Sequence, residues 1–213
     1  VITCAHVTGS KDPPTLRWKR DGQPTVEVTA PGPARTLDYG ERPIAALNAP
    51  YPDIAVIELP TLTDHPCVAV DDEWPQDQDT FYVCGYPREG RTEELAAARL
   101  SYRAKHGTDP AAHVDLREDT IKPGMSGAAL VNLRTGAVCG VLVATKDPRQ
   151  AAGGLAVHWA AVKGDLDGLL AANRAFHRQD QRWNAIVAQR PRRLRPPSMA
   201  RPLPENFEPR DDL

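Results

Sequence analysis

Gly124-Met125-Ser126-Gly127-Ala128 sets a serine between two glycines, and the strand-like Ala129-Leu130-Val131-Asn132 follows directly. A few residues on, 136–145 (GAVCGVLVAT) is again short, β-branched-rich and bounded by turn formers, which is how a strand reads. Working outward, residues 25–29 (TVEVT), 53–59 (DIAVIEL), 80–86 (TFYVCGY), 112–116 (AHVDL) and 154–159 (GLAVHW) share that style. Between them lie punctuating stretches such as Gly9-Ser10-Lys11-Asp12-Pro13-Pro14 and Pro87-Arg88-Glu89-Gly90. Many short strands between Gly/Pro turns predict an all-β, antiparallel sandwich or barrel rather than alternating α/β.

After Trp159 the period changes. Leu166, Leu169, Leu170, Phe176, Trp183, Ile186 and Val187 recur at helical spacing, predicting one or two helices across about 160–189 packed on the β layer. From Gln189 the text is too rich in proline for a helix and too poor in apolar residues for a core, so 190–213 reads as a linker. Its arginines 190, 192, 193 and 195 could meet nucleic acid, but a solvated linker is the default.

Composition narrows the class. With 213 residues, 41% hydrophobic and 25% charged, the chain can bury an ordinary core. A net charge of -2 gives no global basic field to attract nucleic acid. No run approaches the ~18 apolar residues of a membrane helix. The four cysteines (4, 67, 84, 139) lack the C-x-x-C spacing of a zinc or redox site. Cys4, Cys84 and Cys139 sit inside apolar runs, so reduced, buried thiols and a cytoplasmic setting are expected. No metal and no cofactor are expected. Residue 1 is valine and already reads as strand, which suggests that an amino-terminal part precedes it.

Three short motifs carry the chemistry. Ile2-Thr3-Cys4-Ala5-His6 ends an apolar strand on a histidine, Pro52-Asp53-Ile54-Ala55-Val56-Ile57 opens one on an aspartate, and the third is the Gly124–Ala128 stretch around Ser126. A serine hydroxyl needs a base within hydrogen-bond reach, and a histidine titrating near ~6.5 can take and return its proton. A buried carboxylate on the other ring nitrogen fixes the tautomer. His65, His106, His113 and His158 are rival bases outside any such motif, and Asp38 is a rival orienting acid.

Taken together, the order His…Asp…Ser along a β-rich chain resembles the trypsin/chymotrypsin-like serine peptidases, and their bacterial trypsin-like branch. ITCAHV is similar to that family's T-A-A-H-C segment, PDIAVIEL to its D-I-A-L strand and GMSGAALVN to its G-D-S-G-G-P segment. The resemblance runs from Val1 to about Val162 and implies two six-stranded antiparallel barrels, one over about 1–72 and one over about 79–162. It implies a His6, Asp53 and Ser126 triad, with the Gly124 and Ser126 N–H groups as oxyanion hole. It also implies that the first strand and part of the second lie outside this chain. GLAVHW resembles the late strand that binds substrate backbone, so Gly154, Leu155, Ala156 and Val157 are expected to pair with substrate as an added strand.

Departures from the family pattern refine the expectation. Met125 stands where the trypsin branch has an aspartate, so the salt bridge that activates that branch cannot form. Thr120 occupies the specificity position six residues before Ser126 and Asp119 is out of register, so Thr120 and Ile121 imply a neutral side chain before the cut bond. The expected function is a serine endopeptidase acting on a polypeptide substrate. The alternative is a catalytically silent peptide-binding or scaffold module on the same fold. The tail, PENFEPRDDL, resembles the stretch before the nucleotide-binding module of bacterial signalling NTPases, which implies a regulatory domain beyond this chain; no phosphate loop occurs within it.

Overall fold

The His and Asp motifs lie on two strands that pair directly with each other. In a computed structural model, which describes residues 1–8, 12–18, 25–39, 51–60, 67–87, 95–108 and 112–180, β1 (Ile2–Cys4) runs antiparallel to β5 (Ile54–Val56). A one-turn helix α1 (Ala5–Thr8) follows β1 directly. On the other side of β5 lies β4 (Arg35–Leu37), completing a three-stranded sheet in the order β1-β5-β4. The central β5 is buried at every position, which is why Ile54-Ala55-Val56 shows no polar alternation. A separate hairpin joins β2 (Thr15–Trp18) to β3 (Val26–Thr29), with an exposed cross-strand pair between Arg17 and Glu27 at 2.8 Å.

The remaining six strands close a barrel. They are β6 (Thr80–Gly85), β7 (Ala96–His106), β8 (His113–Arg117), β9 (Ala129–Asn132), β10 (Val138–Thr145) and β11 (Gly154–His158), in the order β10-β11-β8-β7-β6-β9. Their interior holds Phe81, Val83, Leu100, Leu116, Leu130 and Leu142, with the Cys139 thiol among them. The outer side of β10 and β11 is buried as well: Val141, Val143, Leu155 and Val157 pack with Cys4, Tyr51 and Ile54 of the amino-terminal sheet. A strand buried on both faces needs no polar positions, hence the unbroken apolar text of 138–143 and 154–157. This second core fixes the sheet that carries the His and Asp motifs against the barrel that carries the Ser motif.

Two long-range bonds reinforce that seam. The Tyr51 hydroxyl, fully buried, donates to the Ala112 carbonyl at the start of β8, and the Tyr39 hydroxyl donates to Asp165. Asp165 belongs to α2 (Lys163–Gln179), which follows a 3-10 turn over Trp159–Val162. The helix is pinned through Leu166 and Leu170, i and i+4 on one face, and Asn173 bonds both Val70 N–H (3.0 Å) and Val68 carbonyl (2.8 Å) of the segment linking the two halves.

At the mouth of β6, Asp79 ties three segments together. Its carboxylate accepts from Gln76 N–H (3.0 Å), Asn132 Nδ2 (2.9 Å) and both Arg134 Nε (2.7 Å) and Nη2 (2.9 Å). Burial pushes this carboxyl up, but the Arg134, Gln76 and Asn132 hydrogen bonds outweigh it and hold it below the ordinary carboxylate range. The stabilisation is therefore present above the unfolded-state value of ~3.9 and is lost as pH falls through the lower folded-state value. Asp79→Ala is expected to cost about 2–3 kcal/mol in urea melts near neutral pH, and the difference from wild type should vanish in strong acid.

Several sequence expectations need correction. Among the described residues the amino-terminal half is a three-stranded sheet and a hairpin, and only the carboxyl half closes as a barrel. Strand β7 was not foreseen, because AAARLSYRAKH is rich in alanine and charge; its two barrel partners override the weak propensity. Cys84 is exposed, since the pleat of β6 turns Phe81 and Val83 inward and Tyr82 and Cys84 outward. Leu169 and Phe176, expected on the packed helix face, are exposed, and His177 is buried there instead. Trp183, Ile186, Val187 and the 190–213 tail lie outside the described residues.

Candidate active site

Antiparallel pairing brings the first two motifs to one end of one ladder. Cys4 lies opposite Ile54, so the residues just after β1 and just before β5 emerge side by side. Ala5 N–H donates to the Asp53 carbonyl (2.8 Å), extending the ladder by a step. The Asp53 carboxylate then takes both donors of the histidine: Oδ1 accepts from His6 N–H at 2.9 Å and Oδ2 sits 2.6 Å from His6 Nδ1. Asp53 is 1% exposed, whereas the His6 side chain is 29% exposed. The backbone at Asp53 has φ +57°, a left-handed conformation that aspartate tolerates better than most side chains. With Nδ1–H held by the carboxylate, the accessible Nε2 is left as a proton acceptor.

Ser126 sits in the turn before β9. Gly124 (φ +97°) and Gly127 (φ +87°) supply the left-handed backbone that folds it. Met125, 1% exposed, anchors the turn in the barrel core, so the position where an aspartate would need a charge partner is filled by an apolar side chain. Met125 N–H donates to Lys122 carbonyl (3.2 Å), Gly127 N–H to Leu142 carbonyl (2.8 Å) and Ala128 N–H to Met125 carbonyl (3.0 Å). The Ser126 hydroxyl donates to the Val143 carbonyl at 3.3 Å, and none of the hydrogen bonds among the described residues joins it to the His6 ring. Such contacts commonly tighten only when substrate is bound.

One carbonyl locks the two halves of the site. Leu142 O accepts from Gly127 N–H (2.8 Å) beside the serine and from Cys4 Sγ (3.1 Å) two residues before the histidine. Gly127 also lies so close to β1 that a Cβ there would stand 2.4 Å from Thr3 Oγ1. Gly127→Ala thus meets both a forbidden φ and a steric block at this seam. We expect the folded variant to lose about 100-fold in active-site reactivity, because displacement of the serine turn by ~1 Å is enough for that; rate of labelling by a serine-directed probe is the readout.

The residues expected to set specificity separate into two groups. Ile121 is buried in the barrel core, and a Cβ added at Gly154 would stand 3.4 Å from Ile121 Cγ1 and 2.6 Å from Ala144 O, so these residues pack closely together. Thr120 is half-buried next to Asp119, whose carboxylate is taken by Arg99 N–H (2.9 Å) and Thr120 N–H (2.7 Å). Gly154, Leu155, Ala156 and Val157, expected to pair with substrate, form β11, which is bonded to β10 along its length and to β8 at Leu155 and Ala156, so those two positions are taken on both sides. The edge that does face Ser126 was missed. Pairing of β10 with β9 ends at Val141–Ala129; beyond it Ala144 and Thr145 pair with β11, while Val143 falls at the register irregularity between Leu142 and Ala144 and its carbonyl takes the Ser126 hydroxyl. Their signal in sequence was merely continuation of the apolar run.

The rival side chains are engaged elsewhere. His106 contacts Asp115 (3.3 Å) and stacks on His113, while His158 stacks on Trp74 and accepts from Ala160 N–H. Asp38 is exposed, and His65 lies outside the described residues.

The trypsin-like peptidase domain family matches residues 1–141, two thirds of the chain and all three motifs. The chain belongs to that family. Its fold is similar to neuropsin, a serine protease expressed in the limbic system of mouse brain, with TM-score 0.59 at 17% identity, covering 79% of this chain and 83% of that one. It is also similar to Rv3671c from M. tuberculosis H37Rv in an inactive form, with TM-score 0.50 at 21% identity over 80% of this chain and 76% of that one. At these identities the likeness speaks for fold alone. No curated protein sequence matches the chain. For a trypsin-like peptidase domain, a clamped His–Asp pair docked on a Gly-flanked serine is the arrangement whose chemistry needs explaining.

Proposed function

We propose that this chain is a serine endopeptidase in which Ser126 is the nucleophile, His6 the general base and acid, and Asp53 the residue that orients and charges-balances His6. The observation that carries the reading is the Leu142 carbonyl, which bonds the serine turn and the end of β1 at once and so holds His6 and Ser126 on facing lips of one seam. In the reaction, His6 Nε2 takes the Ser126 hydroxyl proton as Oγ attacks the scissile carbonyl carbon. The Gly124 and Ser126 N–H groups, which no bond of the turn described above engages, would receive the developing oxyanion. His6 then returns the proton to the leaving amine, and water repeats the cycle on the acyl-enzyme.

Substrate would lie along the open edge of Val143–Thr145 as an added strand, with main-chain hydrogen bonds giving affinity. Half-buried Thr120, with the packed Ile121 and Gly154, would favour a neutral side chain before the cut bond. In this reading, residues 1–162 are one peptidase unit, and the amino-terminal sheet and hairpin represent the first of the two barrels of the family.

Labelling with a fluorophosphonate tests the reading directly. The chain should take one label, and Ser126→Ala and His6→Ala should each abolish it. A folded chain that takes no label, or that labels equally in Ser126→Ala, would falsify the assignment.

A further inference from the structure

We propose that Cys4, His6 and Asp53 form an inhibitory binding site for a thiophilic divalent cation such as zinc. Spacing along the chain hides this cluster, because 47 residues separate His6 from Asp53. Folding places one donor atom of each residue within 4.8 Å of the others. The set combines a cysteine sulfur, an imidazole nitrogen and a carboxylate oxygen, the donors a borderline-soft ion takes once the thiol has lost its proton.

The geometry is close to what such an ion requires. Around a tetrahedral ion with bonds of ~2.1 Å to N and O and ~2.3 Å to S, neighbouring donors stand about 3.4–3.6 Å apart. His6 Nδ1 and Asp53 Oδ2, now 2.6 Å apart, would separate by less than ~1 Å, and Cys4 Sγ, within 4.8 Å of them, would close by at most ~1.2 Å. Cys4 is fully buried and Asp53 nearly so, which excludes competing water, while the 29% exposed His6 side chain leaves an approach from solvent.

Charge balances. The cation takes a thiolate and a carboxylate, so the occupied site is neutral and its burial is not opposed by a net charge. The thiol proton passes to solvent, and the Nδ1 proton is replaced by the ion while Nε2 carries the ring proton. In that state Asp53 no longer orients the histidine and Nε2 cannot accept from Ser126. Occupancy and catalysis therefore exclude each other. This consequence rests on the serine peptidase reading, whereas the metal site itself does not.

Two measurements on the full chain separate the two ideas. In a Cys67→Ser/Cys84→Ser background, which removes the exposed thiols, titration with cobalt should give a thiolate-to-cobalt charge-transfer band that disappears on adding Cys4→Ala or Cys4→Ser. The serine variant keeps a hydroxyl to donate to Leu142 O, guarding against simple misfolding. Micromolar zinc should suppress fluorophosphonate labelling of the parent, with reversal by chelator, and in each Cys4 variant, measured against that variant's own zinc-free labelling rate, zinc sensitivity should weaken roughly tenfold or more. No cobalt band, or one unchanged in both Cys4 variants, overturns the site. A Cys4-dependent band with zinc-insensitive labelling overturns the inhibition. A Cys4-dependent band on a chain that never labels supports the site and sinks the peptidase reading alone.

Discussion

Replacing Asp53 by Asn should lower peptide hydrolysis by about 10⁴-fold while leaving the fold intact. The reason lies in how the carboxylate is shared. Oδ1 accepts from the His6 backbone N–H and Oδ2 faces His6 Nδ1. An asparagine keeps the first bond only by presenting its oxygen there, which turns its NH₂ group toward the ring. Nδ1 must then become the acceptor and Nε2 carries the proton, so the nitrogen facing the serine has nothing to accept with. Thermal melts should change little, because the amide satisfies the same two neighbours. Loss of activity with a matched loss of folding would instead assign Asp53 a structural role.

The second large effect concerns the nucleophile and its base as a unit. Ser126→Ala and His6→Ala should each reduce kcat by roughly 10⁶-fold, and the double variant should be no worse than either single one. Each removes the same step, transfer of the Oγ proton during attack, so their costs do not add. Residual turnover above water would come from the Gly124 and Ser126 N–H groups and from substrate held along Val143–Thr145. Additive losses would mean that His6 and Ser126 act independently, which the seam at Leu142 argues against.

The parts of the site that sequence made legible are those whose chemistry depends on residue type within a few positions. Ser126 between glycines, His6 at the end of an apolar strand and Asp53 at the head of another were all readable locally. Strand-like text marked most of the barrel for the same reason, since burial of one or both faces leaves a short-range pattern in the side chains. What failed was anything decided by a partner. Strand β7 carries little β propensity and exists because β6 and β8 flank it. The helix and its buried Leu166 and Leu170 were legible, but the expected stripe also took in Leu169 and Phe176, which are exposed, and left out His177, which the neighbouring elements cover.

The strand edge proposed for substrate shows the limit most sharply. Residues 154–157 and 143–145 both read as apolar strand, and nothing in either stretch says which has a free side. Hydrogen-bond pairing distinguishes them: β11 has neighbours on both sides at Leu155 and Ala156, while β9 stops short and, among the described residues, leaves the end of β10 without a partner on that side, beside Ser126. The sequence alone therefore determined the β-rich class, the helix that follows it and the three residues proposed for acyl transfer, because each is a matter of local chemistry and period. Only the tertiary structure decided which backbone edge faces the serine, that Cys4 joins His6 and Asp53, and that one carbonyl binds both halves of the site. Those are distances between segments far apart in the chain, set by strand order and by what each face packs against.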